Sequence, residues 1–159
     1  MTLVELVITI VVISIAMVAV LTAFSGAMGR SADPLWRNKT LKLAQLYLDE
    51  MTTKKFDETT PVGGVPASTA VTCSGLGAEE ADRSLYDDVD DYHNLNETPP
   101  LNQKGGALNG YAGYRVQVSV TCSGTLVGAA DDSQIKKISL TITPPGEAPV
   151  LFSSFVGNF

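Results

Sequence analysis

The sequence predicts an α+β chain, a long N-terminal helix followed by an antiparallel β-meander. Three observations predict it. Residues 6–29 run for 24 positions without a charge, residues 34–55 repeat apolar side chains at helical spacing behind a proline, and the last third alternates apolar and polar residues. The 159 residues leave room for a hydrophobic segment and one modest core. A net charge of −6 argues against a nucleic-acid binder, which carries a basic face. The charge is also uneven: a basic neck (Arg30 to Lys55) precedes an acidic stretch (Glu79 to Glu97) whose one base is Arg83.

Residues 1–29 form the first expected element. At ~1.5 Å per residue, 24 helical residues span about 36 Å, more than the ~30 Å of a bilayer core. Between Leu6 and Gly29, Val, Ile, Leu, Ala and Met dominate, with Thr9, Ser14, Thr22 and Ser25 as the hydroxyls. A cleavable secretory signal competes. It fits the small residues Ser25, Gly26 and Ala27, but it lacks a basic start and its apolar run is too long. Glu5 is the one charge in this element. A carboxylate in hydrocarbon costs ~2.5 kcal/mol or more, so it must be protonated, paired, or held at the interface. The partner of fitting type is an α-amine, that of Met1 on a neighbouring copy staggered along the axis.

Residues 30–56 form the second expected element. Asp33 suits an N-cap and Pro34 the first helical turn, while Lys54 and Lys55 suit the far end of the dipole. A break is therefore expected among Gly26, Gly29, Asp33 and Pro34. Trp36, Leu43, Ala44, Tyr47, Leu48 and Met51 form the apolar stripe, with Asn38, Lys42, Gln45 and Asp49 opposite.

Residues 57–112 lack periodicity and are rich in Gly and Pro, which predicts a long irregular connector. Its acidic part, YDDVDDYHNLNET, offers Asp87, Asp88, Asp90 and Asp91 as oxygen ligands of the kind calcium prefers. The spacing is not that of an EF-hand. The alternative is a solvated acidic loop anchored by Tyr86 and Tyr92.

Residues 113–159 predict three strands. Tyr114, Val116, Val118, Val120 and Cys122 alternate with polar residues, as do Ile138, Leu140 and Ile142; PVLFSSFV gives a less regular third strand. Cys73 and Cys122 each lie in the pentapeptide VTCSG. A disulfide between them suits an exported head and would stabilise it by roughly 4 kcal/mol. Two separate buried thiols are the alternative. The single histidine, His93, gives no ligand spacing with either cysteine. No nucleophile elbow or P-loop is present, so the chain does not read as an enzyme.

The opening TLVELVITIVVI resembles the mature start of type IV pilins and pseudopilins over roughly the first 25 residues. In that family an apolar first residue precedes Thr-Leu-apolar-Glu and an unbroken apolar helix; Thr2, Leu3, Val4, Glu5 and Leu6 match in place. Family members usually begin with Phe, though Met also occurs, and this chain has Met1; the alternative is an initiator methionine. DDVDDY, LAQLYLDEM and the Lys-Phe-Asp-Glu segment resemble minor pilins of the mannose-sensitive haemagglutinin pilus. The resemblance implies a pilin fold, a leader removed by a prepilin peptidase, and methylation of Met1. It also implies residence in the bacterial inner membrane, followed by assembly with other copies or other pilins into a helical extracellular filament used in adhesion or secretion. Glu5 would then pair with the terminal amine of an adjacent subunit. A type II secretion pseudopilin and a monomeric membrane-tethered binding domain are the competing functions.

Overall fold

The computed structural model of the chain describes residues 2–31 and 33–158, with side chains described outside 27–34. The chain divides into two units, Met1–Lys39 and Thr40–Phe159.

The first unit contains helix α1 (Leu3–Ser31) and the start of helix α2 (Asp33–Thr52). Every described side chain from Thr2 to Gly26 is exposed. Three hydroxyls of α1 are turned back onto its own backbone. Thr9 Oγ1 donates to the Glu5 carbonyl (2.7 Å), Ser14 Oγ to that of Ile10 (2.8 Å) and Thr22 Oγ1 to that of Val18 (2.9 Å). A helix whose hydroxyls are satisfied internally can sit in an apolar medium without orphaned donors. Leu3–Gly26 is long and apolar enough to cross a membrane. Of the expected break residues, Gly26 and Gly29 lie inside α1, whereas Asp33 and Pro34 are the first two residues of α2. A glycine costs a helix only ~1 kcal/mol relative to alanine, so neighbours with high helix propensity carry it, while proline suits the first turn.

The second unit is built on a four-stranded antiparallel sheet in chain order: β1 (Asn96–Glu97), β2 (Arg115–Cys122), β3 (Ile135–Thr143) and β4 (Val150–Gly157). The three expected strands are β2, β3 and β4, and the two-residue β1 adds an edge beside β2. The α2 stripe Leu43, Ala44, Tyr47 and Met51 is buried with Val116, Val118 and Val120 of β2 and Ile138, Leu140 and Ile142 of β3. Leu48 is partly buried against the same cluster. Asn38, Lys42, Gln45 and Asp49 are exposed, and Trp36 is half-buried. This helix-on-sheet core is of the kind that an apolar stripe and a period-2 face make together, each element hiding what the other leaves open. The connector contributes Val89 and Tyr92 to the core through a 3₁₀ turn at Asp90–Tyr92.

Candidate functional site

The first candidate is the amino end of α1. Thr2 precedes the first helical residue, and Glu5 occupies the third position of the first turn. The Glu5 N–H donates to Thr2 Oγ1 (3.3 Å), and the Thr2 N–H donates to Glu5 Oε2 (3.4 Å). That reciprocal pair is a capping box, so Thr-x-x-Glu caps the helix as well as charging it. Both bonds are exposed and neither supplies a positive charge. Met1, the expected amine partner and methylation site, lies outside the described residues.

The second candidate is the region where the connector is fastened to the sheet and α2. Its centre is Arg83, 8 % exposed. Nη1 lies 2.7 Å from Glu50 Oε1 on α2, and Nε lies 3.1 Å from Glu97 Oε1 on β1. The guanidinium stacks over the Tyr92 ring at 4.6 Å and the Tyr86 ring at 5.1 Å. The Tyr92 hydroxyl donates to Glu50 Oε1 (2.7 Å). The Tyr47 hydroxyl donates to Glu97 Oε2 and accepts from the Leu101 N–H (2.9 Å). Burial and the adjacent carboxylate push the Tyr47 and Tyr92 hydroxyls well above their ordinary range, so both are donors at any physiological pH.

A second buried base lies on β3. Lys136 is 0 % exposed; Nζ donates to the Phe56 carbonyl (2.6 Å) and lies 2.6 Å from Asp90 Oδ1 and 3.3 Å from Asp57 Oδ2. Its ammonium also lies over the Phe56 ring, 4.4 Å from the centroid. Burial works to raise Asp57, but bonds from Thr59 and the Lys136 charge hold it below its ordinary value. At Asp90, burial wins over Lys136 and the carboxyl is pushed up.

The four aspartates expected to share a cation are thus sent in different directions. Asp87 Oδ2 takes Lys55 Nζ at 2.6 Å, and Asp90 takes Lys136. Asp88 Oδ1 accepts from the Asp90 and Asp91 N–H groups (2.7 and 3.2 Å), folding the turn beneath it. Burial and the neighbouring Asp91 and Asp90 charges push Asp88 up to about 7. Asp91 Oδ2 accepts from the N–H groups of Asp87 and Asp88 (2.9 and 3.2 Å). The histidine is also engaged in structure, with His93 Nδ1 accepting from the Val120 N–H (3.1 Å).

Cys73 and Cys122 are disulfide-bonded, with Cα atoms 5.9 Å apart, which ties the middle of the connector to the end of β2. Ion pairs through Arg83, Lys136 and Lys55 and the disulfide thus fasten the connector at several places. Sequence reading missed both bases. The signal for Lys136 was present, because the period that assigns Ile138, Leu140 and Ile142 to the core assigns residue 136 to the same face. For Arg83 the signal was its isolation among eight acids.

Comparison of the chain with protein-family models, with curated proteins and with solved structures returns no match in any of the three.

Proposed function

We propose that the chain is a structural subunit of a type IV pilus-like filament. It waits in the bacterial inner membrane, then polymerises through α1, with Glu5 of one copy paired to the terminal amine of the next. The observation that carries this reading is α1 itself. Its described residues through Gly26 are exposed, the hydroxyls of Thr9, Ser14 and Thr22 are satisfied within the helix, and Glu5 is its one charge before Arg30.

A contiguous apolar surface of that length is not stable in water and requires lipid or other helices around it. Lipid accepts a carboxylate in the first turn of the helix, because the headgroups are within reach. A bundle of packed helices does not, and there the charge needs a cation. A neighbour's amine supplies one at a fixed stagger, so the ion pair sets register more than it adds net stability. The exposed leucines of α2 in the head, Leu41 and Leu46, would offer neighbouring copies further apolar contact. The Cys73–Cys122 bond fits a head that works in an oxidising compartment.

Sheared surface material from cells making the chain tests this directly. Fibres containing it are expected under negative stain, and mass spectrometry of the terminal peptide should find an N-methylated residue 1. A chain found only in the membrane fraction, with an unmodified terminus, would mean a tethered monomer.

A further inference from the structure

Lys136, Asp90 and Asp57 meet in a closed site. Lys136 shares the core face of β3 with Ile138, Leu140 and Ile142 and is fully buried, and both aspartates are nearly so. Nζ lies 2.6 Å from Asp90 Oδ1, and a carbon–oxygen bond adds about 1.2 Å, so the Asp90 carboxyl carbon is within about 4 Å of the nitrogen. That is close to the ~3–3.5 Å of a near-attack pair. Asp90 Oδ1 is buried without a hydrogen-bond partner, so Nζ meets it off the hydrogen-bonding directions.

The surroundings suit a reaction between these two groups. The Phe56 ring lies 4.4 Å from Nζ, and the Phe56 carbonyl accepts from it at 2.6 Å. Asp57 Oδ2 accepts from Nζ at 3.3 Å, while Asp57 Oδ1 accepts from the Thr59 N–H and hydroxyl (3.1 and 2.7 Å). Burial raises both carboxyls. At Asp57 the Thr59 bonds and the Lys136 charge outweigh it and favour the anion; at Asp90 it prevails and favours the acid. A buried amine, a carboxyl favoured as the acid and a carboxylate that stays ionised are the nucleophile, electrophile and proton carrier of an amide condensation. Well-oriented intramolecular groups reach effective molarities of ~10⁵–10⁸ M, and burial keeps out the water that would reverse the step.

We propose that Lys136 and Asp90 condense into an intramolecular amide, with Asp57 carrying the proton. One proton passes from the ammonium to Asp90, leaving an amine beside a carboxylic acid. The nitrogen lone pair attacks Cγ, and the C–N bond forms. Asp57 takes a proton from the nitrogen and returns it to the Cγ hydroxyl, whose C–O bond breaks as it leaves as water. No oxidant or reductant is needed. The three buried charges become one, the Asp57 carboxylate bonded to Thr59. The product ties the Asp90–Tyr92 turn to β3 by a bond that reductants leave intact, unlike Cys73–Cys122. This bond stands apart from the filament reading; each can fail without the other.

Mass spectrometry of the full chain, held overnight in detergent at neutral pH, tests the bond. The intact chain should be lighter by one water once the disulfide is allowed for. After reduction, trypsin should release residues 84–104 joined to residues 116–137, because an acylated Lys136 is no longer a cleavage site. Lys136→Met should keep the water. Asp57→Asn should lose it about a hundredfold more slowly or worse, the scale of acid–base catalysis, and loss at the wild-type rate would overturn the role given to Asp57. Recovery of wild-type 84–104 only as a free peptide overturns the bond itself, a readout that needs no variant to fold. Loss of water that fragmentation places within 84–104 alone, as a cyclised aspartate, overturns it as well.

Discussion

Replacing Arg83 with alanine is expected to destabilise the head by about 3–5 kcal/mol, the range for removing one partner of a buried ion pair. The physical cause is what remains behind. Glu50 and Glu97 would stay in a desolvated site with no cation, and the Tyr86 and Tyr92 rings would each lose the guanidinium that lies over them. Arg83→Lys keeps a charge but not the two-pronged reach from α2 to β1, and should recover only part of the loss. Arg83→Met combined with Glu50→Gln and Glu97→Gln removes the whole charged set, and should be far milder than the single alanine change. Denaturant melts of the full chain, followed by near-ultraviolet dichroism, read all three. A cost below about 1 kcal/mol for Arg83→Ala, the level of an exposed pair, would show that the network adds nothing.

Replacing both Cys73 and Cys122 with serine is expected to cost roughly 4 kcal/mol by the chain-entropy argument for a closed loop of this length. The effect should be local before it is global. The stretch 60–80 is glycine- and proline-rich, has little regular structure, and is tied to the sheet near its middle by this bond. Hydrogen exchange and protease cleavage should therefore accelerate first between residues 60 and 80. β2 and β3 should keep their protection until the whole head unfolds, because their pairing runs unbroken from Arg115–Thr143 to Cys122–Lys136. Equal acceleration across β2 and β3 in the serine variant would place the bond in the global fold instead of in the connector.

Local periodicity made the regular elements legible. The apolar run, the α2 stripe and the alternation of β2 and β3 are each read from neighbours within a few positions, where side-chain direction is set by backbone geometry. What the sequence did not disclose depends on pairings across the chain. Arg83 meets Glu50 and Glu97 at separations that no window covers, and the buried place of Lys136 depends on Asp57 and Asp90 being brought to it. The aspartate-rich turn was legible as a concentration of oxygens. Which of those oxygens stay free depended on where Lys55, Lys136 and the turn's own N–H groups fell. The double role of Glu5 was legible in Thr-x-x-Glu, a capping signature, yet its charge drew the reading toward a partner alone.

That double role gives the sharpest experiment. Glutamine at the third helical position caps nearly as well as glutamate, so Glu5→Gln removes the charge and keeps the capping box. The measurement is the fraction of the chain recovered in sheared fibres, relative to the membrane fraction, for wild type and Glu5→Gln expressed at equal levels. Polymerisation through an interchain ion pair predicts that Glu5→Gln accumulates in the membrane with a folded, disulfide-bonded head and is absent from fibres. Fibres built from Glu5→Gln at wild-type yield would show that capping is all Glu5 does, and would contradict the pairing on which the proposed assembly rests.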